Sequence, residues 1–186
     1  MIKKEVFKDF SEAKELASLV EVSCLVHDLG NPPFGHYGED IIRKWFDVWF
    51  DSDEYKSTSI KFKELNEQQK YDFIFFEGNA QAIRILSKLQ FLNDEYGANF
   101  TFATLGTLMK YPWASNDDKN KSRKNKKFGY FYSEQALFDE IKNKIGIDGC
   151  RHPATYIMEA ADDIAYLTAD IEDAVKKESD KLGSGL

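Results

Sequence analysis

The sequence has little histidine and little cysteine, three and two residues in a chain of 186. Cys24 and Cys150 lie far apart, which argues against a disulfide framework and against a cysteine-based zinc site. No uncharged apolar run approaches the roughly 20 residues that a membrane span needs. The opening Met1-Ile2-Lys3-Lys4-Glu5 leads into a charged stretch and not into a secretory leader. A basic excess is also missing: the net charge is −7, so a broad duplex-binding surface is not expected. What is present is material for one core, with 42% hydrophobic and 15% aromatic residues, too much for a disordered chain. These features point to an acidic cytoplasmic domain with no membrane partner.

Apolar residues recur at helical spacing almost throughout. Ser11 is placed to cap a first helix that carries Leu16, Leu19, Val20, Val22 and Leu25 and ends near His27-Asp28. Gly30-Asn31-Pro32-Pro33 stops it, because consecutive prolines cannot continue a helix. A second helix is expected from His36 to about Phe50, with Ile41, Ile42, Trp45, Phe46 and Trp49 packed in the core. Residues 51–67 read as a polar loop with a short helix or hairpin. Tyr71 to Phe76 is an aromatic run that periodicity leaves open between helix and strand. Helical spacing returns over 79–89, 101–110, 133–144 and 152–177, and 178–186 reads as a frayed tail. A basic loop is expected over 115–128, where six of the nine residues from Lys119 to Lys127 are basic. It is a solvated loop by default, and otherwise a phosphate-facing lid or a single-strand contact. The expectation is one all-α domain over 1–186 with at most a minor β element.

The residues that carry chemistry fall in two places. His27 and Asp28 offer an imidazole nitrogen and a carboxylate oxygen, ligands suited to Mn, Fe, Ni, Zn or Mg. The Gly-Asn-Pro-Pro break then reverses the chain and brings His36 and Glu39 back over the first pair. One turn apart at a helix start, these two can hydrogen-bond each other. A histidine held by a carboxylate beside a metal is a candidate general acid or base. In the last long helix Asp162, Tyr166 and Asp170 recur every four residues and line one face. The neighbouring face is apolar, with Ile157, Ala161, Ile164, Leu167, Thr168 and Ile171. A carboxylate on the edge of a core-facing stripe needs a partner. A metal shared with His27 and Asp28 would supply it; a solvent-facing acidic stripe is the plainer alternative.

The block from His27 through Gly30-Asn31-Pro32-Pro33-Phe34-Gly35-His36 to Glu39 closely resembles the HD-domain deoxynucleotide triphosphohydrolases, the dGTPase-like enzymes. Three further blocks agree in order: Gly78-Asn79-Ala80-Gln81-Ala82-Ile83-Arg84-Ile85, Gly129-Tyr130-Phe131-Tyr132-Ser133-Glu134, and Glu159-Ala160-Ala161-Asp162-Asp163-Ile164-Ala165-Tyr166. The resemblance runs from about Ser18 to Asp173. It implies an HD-domain helical core, one divalent metal, a homo-oligomeric full-length enzyme, and hydrolysis of a dNTP to deoxynucleoside and inorganic triphosphate. By this resemblance His27, Asp28 and Asp162 are metal ligands, His36 is the catalytic histidine and Glu39 its acidic partner. Asp162 is preferred to Asp163 because Tyr166 and Asp170 then match the family's sugar-side residues. Lys110 and Tyr111 match residues that reach the phosphates and the substrate. Tyr166 is expected to stack under the deoxyribose and exclude a 2′-hydroxyl.

The sequence also departs from that family. Its first metal histidine lies upstream of the His-Asp pair in an Arg-x-x-His-Ser-like segment, and none of the 26 residues before His27 is a histidine. His152 falls where the family has no ligand, and the family's C-terminal helices with their substrate-binding arginine find no match. The expectation is therefore an internal piece of a longer enzyme, from a truncated, split or damaged gene. A three-ligand site would hold metal weakly, and the chain alone would hydrolyse dNTPs slowly or not at all. Two other readings compete. One is another HD nucleotidase or phosphodiesterase, releasing phosphate in place of triphosphate. The other is a non-catalytic module that binds nucleotide or single-stranded nucleic acid through its basic stretch.

Overall fold

A computed structural model describes residues 10–57, 65–90, 97–117 and 127–183, with side chains as far as 177. Among the described residues there are eight α-helices and no strand: α1 (Phe10–Val26), α2 (His36–Asp51), α3 (Asp53–Ser57), α4 (Glu67–Ile74), α5 (Gly78–Arg84), α6 (Phe102–Leu108), α7 (Gln135–Ile145) and α8 (Pro153–Gly183). The protein is all-α, as its periodicity requires. None of these helices is long and apolar enough to cross a membrane.

The core forms where α5, α6, α7 and the first turns of α8 meet. Ile83, Leu86, Leu105, Leu108, Met109, Tyr130, Phe138, Ile141 and Met158 are buried together there, and Cys24 and Val26 pack on them from the end of α1. A second cluster of Ala80, Phe128 and Phe131 lies against Phe75, Phe76 and Trp113. Helix α1 packs on α8 and α6, and α2 on α4. These contacts bring the end of α1, the start of α2, the start of α5 and the middle of α8 into one neighbourhood.

Several expectations change. The run from Tyr71 to Phe76 is helical through Ile74, because Asn66 and Gln69 form a reciprocal capping box that starts α4. Ser11 lies inside α1 and not at its cap. Helix α8 continues through Gly183 where a tail was expected from 178, and 184–186 lie outside the described residues. On α2 only part of the aromatic set is inside. Phe46 meets Phe73 with ring centroids 4.6 Å apart, but Trp45 is 56% exposed and Ile41 49%. An apolar stripe as broad as this one exceeds what α3 and α4 cover. The same holds for α8, where Ile157, Ile164, Leu167 and Ile171 are exposed. Only its first turns reach the core, so its heptad-like apolar face is not the core-facing stripe that the spacing suggested.

Candidate active site

The site is built around a backbone contact. After α1 a turn carries His27 to Asn31, and a β-carbon on Gly30 would overlap the Gly78 carbonyl oxygen and the Ala82 nitrogen. Only glycine lets that turn lie on the start of α5. Asn31 Nδ2 donates to Asp28 Oδ1 at 2.9 Å, holding the carboxylate. Phe34 and Gly35 then take positive φ values of 67° and 55°, and the chain reverses into α2, whose first residue is His36.

His27 faces two carboxylates. Its Nδ1 lies 2.8 Å from the Cys24 carbonyl oxygen. A carbonyl only accepts, so Nδ1 carries a proton and the neutral ring presents a lone pair at Nε2. That Nε2 is buried and has no hydrogen-bond partner. It lies 3.3 Å from Asp28 Oδ1 and 3.2 Å from Asp162 Oδ1. Three acceptors pointed at one another repel unless a cation lies between them or Nε2 takes up a proton. Lys110 Nζ reaches only the far side, 3.8 Å from Asp162 Oδ2. Nitrogen and oxygen ligands about 2.1 Å from a metal are about 3 Å apart when adjacent, so the two His27 contacts have the spacing of neighbouring ligands. Among the described residues, however, no group of three or more His, Cys, Asp or Glu side chains is arranged as a metal-holding set. The half-exposed Asp28 leaves the set open to solvent. Tyr166 stands beside it: the Asp28 carboxylate, then burial and Asp162, push its phenol up.

The second cluster is closed. His36 is 83% exposed and Glu39 1%, and His36 Nδ1 donates to Glu39 Oε2 at 3.0 Å. Glu39 Oε1 accepts the Gly78 N–H at 2.7 Å. Burial alone would raise the Glu39 carboxyl. The bonds from His36 and Gly78 and the charges of Lys127 and Arg43 outweigh it and hold the group below its ordinary value. Arg43 Nη2 lies 3.1 Å from Glu39 Oε2 and 3.5 Å from Glu77 Oε2. Lys127 Nζ lies 2.9 Å from Glu77 Oε2 and 3.6 Å from Glu39 Oε2.

The geometry therefore brings His27, Asp28, Asp162, Lys110 and Tyr166 together, and separately pairs His36 with Glu39. Tyr111 is half-buried next to Trp113, and burial, ahead of the nearby Lys127 and Glu77 charges, raises its phenol. Asp170 is exposed and meets the site only through its charge on Tyr166. His152 stands apart at the start of α8, accepting the Ala154 N–H at 3.2 Å and 3.2 Å from Thr107 Oγ1. Of the basic stretch, residues 119–126 lie outside the described residues, and Lys127 is turned inward. Sequence reasoning missed Arg43 and Glu77. Arg43 was within reach of it, four residues after Glu39 on one helix face; Glu77 precedes the Gly78-Asn79 block as the N-cap of α5.

No family model matches the chain. Curated relatives do. The chain is 48% identical over 172 residues to a deoxyguanosinetriphosphate triphosphohydrolase-like protein of Listeria monocytogenes, covering 91% of this chain and 37% of that protein. A protein of the same description from Pseudomonas aeruginosa is 39% identical, over 95% of this chain and 40% of its own length. The deoxyguanosinetriphosphate triphosphohydrolase of Serratia proteamaculans is 38% identical, over 86% of this chain and 35% of its own length. The chain thus spans little more than a third of the curated relatives that it matches.

Proposed function

Because the chain belongs to the deoxyguanosinetriphosphate triphosphohydrolase-like family, we propose that its two clusters are the metal-holding and acid–base halves of a dNTP triphosphohydrolase site. The observation that carries this reading is the buried His27 Nε2, whose lone pair faces Asp28 and Asp162 without a partner. His27, Asp28 and Asp162 would hold one divalent ion. When bound, such an ion polarises a phosphoryl oxygen and lowers the pKa of water toward neutrality.

The chain's own groups do the rest. Water attacks the α-phosphorus in line as its bond to the 5′ oxygen breaks, and gives its spare proton to solvent. His36, doubly protonated with Nδ1–H held by Glu39, presents its Nε2–H outward and passes that proton to the leaving 5′ oxygen. Glu39 keeps the ring oriented and balances its charge. Lys110 neutralises the triphosphate, and Tyr111, next along the chain, supports it from the Lys127 side. Tyr166 lies under the deoxyribose and excludes a 2′-hydroxyl, with Asp170 on the sugar side. The products are deoxynucleoside and inorganic triphosphate.

The test incubates the purified 186-residue chain with Mn²⁺ and dGTP and resolves products by ion-exchange chromatography. Deoxyguanosine and inorganic triphosphate should form slowly in equal amounts, and Asp28→Ala should abolish both. Orthophosphate in place of triphosphate would move the chain to another phosphohydrolase class. Salt-sensitive single-strand binding with no product would replace the enzymatic reading altogether.

A further inference from the structure

Glu39 and Glu77 are two buried carboxylates from different elements, 1% and 0% exposed. Two such groups left to each other cannot both stay ionised. Here two cations lie between them. Arg43 bridges both acids through Nη2, and its Nε donates to the Phe76 carbonyl at 2.7 Å. Lys127 bridges the same two oxygens from another direction. The other oxygen of Glu77 accepts Asn79 Nδ2 at 2.6 Å, and that of Glu39 accepts the Gly78 N–H. The groups facing Glu39 are therefore His36 and Arg43 from α2, Gly78 and the Glu77 carboxylate from the start of α5, and Lys127. The exposed Asp40 also meets Arg43, through Nη1 at 3.2 Å. Among the buried carboxylates and their cations, two negative and two positive charges balance.

This balance has a consequence for His36. If one cation is lost, the two acids retain a proton between them. A protonated Glu39 is no longer a reliable acceptor for Nδ1–H, and the exposed ring is then free to exchange tautomers and rotate. We infer that Arg43, Glu77 and Lys127 are positioning residues, which act through the Glu39 carboxylate to fix the tautomer and orientation of His36. The consequence for turnover rests on the acid–base role proposed above; the structural claim does not. It also reassigns one cation of the basic stretch. Lys127 serves as an internal counter-ion and not as a phosphate contact.

The test reads ring nitrogens by ¹⁵N-edited NMR in the full chain, where three histidines keep the spectrum simple. Above neutral pH His36 should carry its proton on Nδ1. In Lys127→Met it should revert toward the Nε2–H form that free imidazole side chains prefer, and Lys127→Arg should keep the Nδ1–H form. Adding Glu77→Gln to Lys127→Met restores one acid to one base and should return His36 to Nδ1–H. A steric or merely structural role for Lys127 predicts no such rescue. Arg43→Met should act in the same direction as Lys127→Met; if it does not fold, the Lys127 and Glu77 set still decides. An unchanged His36 spectrum in folded Lys127→Met, or a double variant without rescue, overturns the inference. In turnover, kcat should fall about tenfold or more with KM nearly constant. Altered His36 spectra with no turnover in any form would sink the proposed activity and leave the positioning network standing.

Discussion

The two acid clusters that meet across the Gly30–Gly78 contact use the same kinds of side chain to opposite electrostatic ends. Around Glu39 and Glu77, each buried oxygen has a donor and each negative charge a cation. Around His27, three acceptors converge and the one nearby cation, Lys110, stands 3.8 Å off to the side. A closed account makes a rigid support, because removing any member exposes an uncompensated buried charge. On the reading proposed above, an open account makes a receptor for a cation. The difference explains why the paired histidine can sit 83% exposed while the open one is buried. On that reading the first needs only to be held, and the second takes a ligand delivered to it.

A third buried carboxylate shows what the cations around Glu39 accomplish. Asp72 accepts the Ser115 hydroxyl at 2.6 Å and the Tyr132 N–H at 2.7 Å. Those donors are neutral, and burial pushes its carboxyl up to about 6, opposite to the direction at Glu39. The protonated form is therefore favoured by folding. Its contribution is complete below pH 3.8, the unfolded value, and is lost as pH rises through about 6. The loss amounts to about 3 kcal/mol at most. Asp72→Asn removes it while keeping partners: the amide can donate to Ser115 Oγ and accept from Tyr132, and Ser115 can donate to the Gln68 carbonyl, now 3.2 Å away. Urea titrations should find the variant close to the wild type near pH 4 and more stable at pH 8. A stability difference that does not change between those pH values would mean that neutral donors suffice to keep a buried carboxylate ionised here. The contrast with Glu39 would then fail.

A somewhat smaller effect tests the open cluster directly. If His27, Asp28 and Asp162 receive a divalent ion in the folded state alone, Mn²⁺ at 100 times its dissociation constant should stabilise the chain by about 2.7 kcal/mol. Thermal melts with and without Mn²⁺ read this, and EDTA should reverse it. Asp28→Ala should abolish the gain, whereas Glu77→Gln should lose stability and keep the gain. Equal stabilisation of Asp28→Ala would move the ion elsewhere and erase the distinction between the clusters.

How much of this was legible in the sequence follows from how local each interaction is. His27 beside Asp28 and His36 one turn before Glu39 are read from spacing, and the capping box of Asn66 and Gln69 could have been read the same way. Asp162 entered through its four-residue spacing with Tyr166 and Asp170, and the resemblance then chose it over Asp163 and added Lys110. Asp162 meets His27 because α1 packs on α8, and Lys110 meets Asp162 because α6 packs on α8. Glu77 and Lys127 are invisible to periodicity, since they come to Glu39 through tertiary packing. On α8 the spacing of Ile157, Ile164 and Ile171 gave an apolar face correctly, and exposure shows that a pattern names a face without naming what it meets. Trp45 and Ile41 on α2 teach the same limit.

The smallest effect separates the clusters most sharply, because it differs in sign. Asp162→Asn puts an amide where an oxygen now lies 3.2 Å from His27 Nε2. With its NH₂ turned inward, the asparagine donates to that lone pair, so an acceptor–acceptor contact becomes a hydrogen bond. Lys110 loses an ion pair that is already long at 3.8 Å. In EDTA the variant should therefore match the wild type or exceed it by about 1 kcal/mol, although a charged, half-buried site has been neutralised. In Mn²⁺ the order should reverse, since the amide cannot replace a carboxylate as a ligand. The matching change in the closed cluster, Glu39→Gln, should lose stability in both buffers, because Arg43 and Lys127 lose a buried counter-charge. Chemical denaturation of both variants, each with EDTA and with Mn²⁺, measures the four differences. A destabilised Asp162→Asn in EDTA would mean that its carboxylate is already compensated, and the open cluster would then be a second closed one.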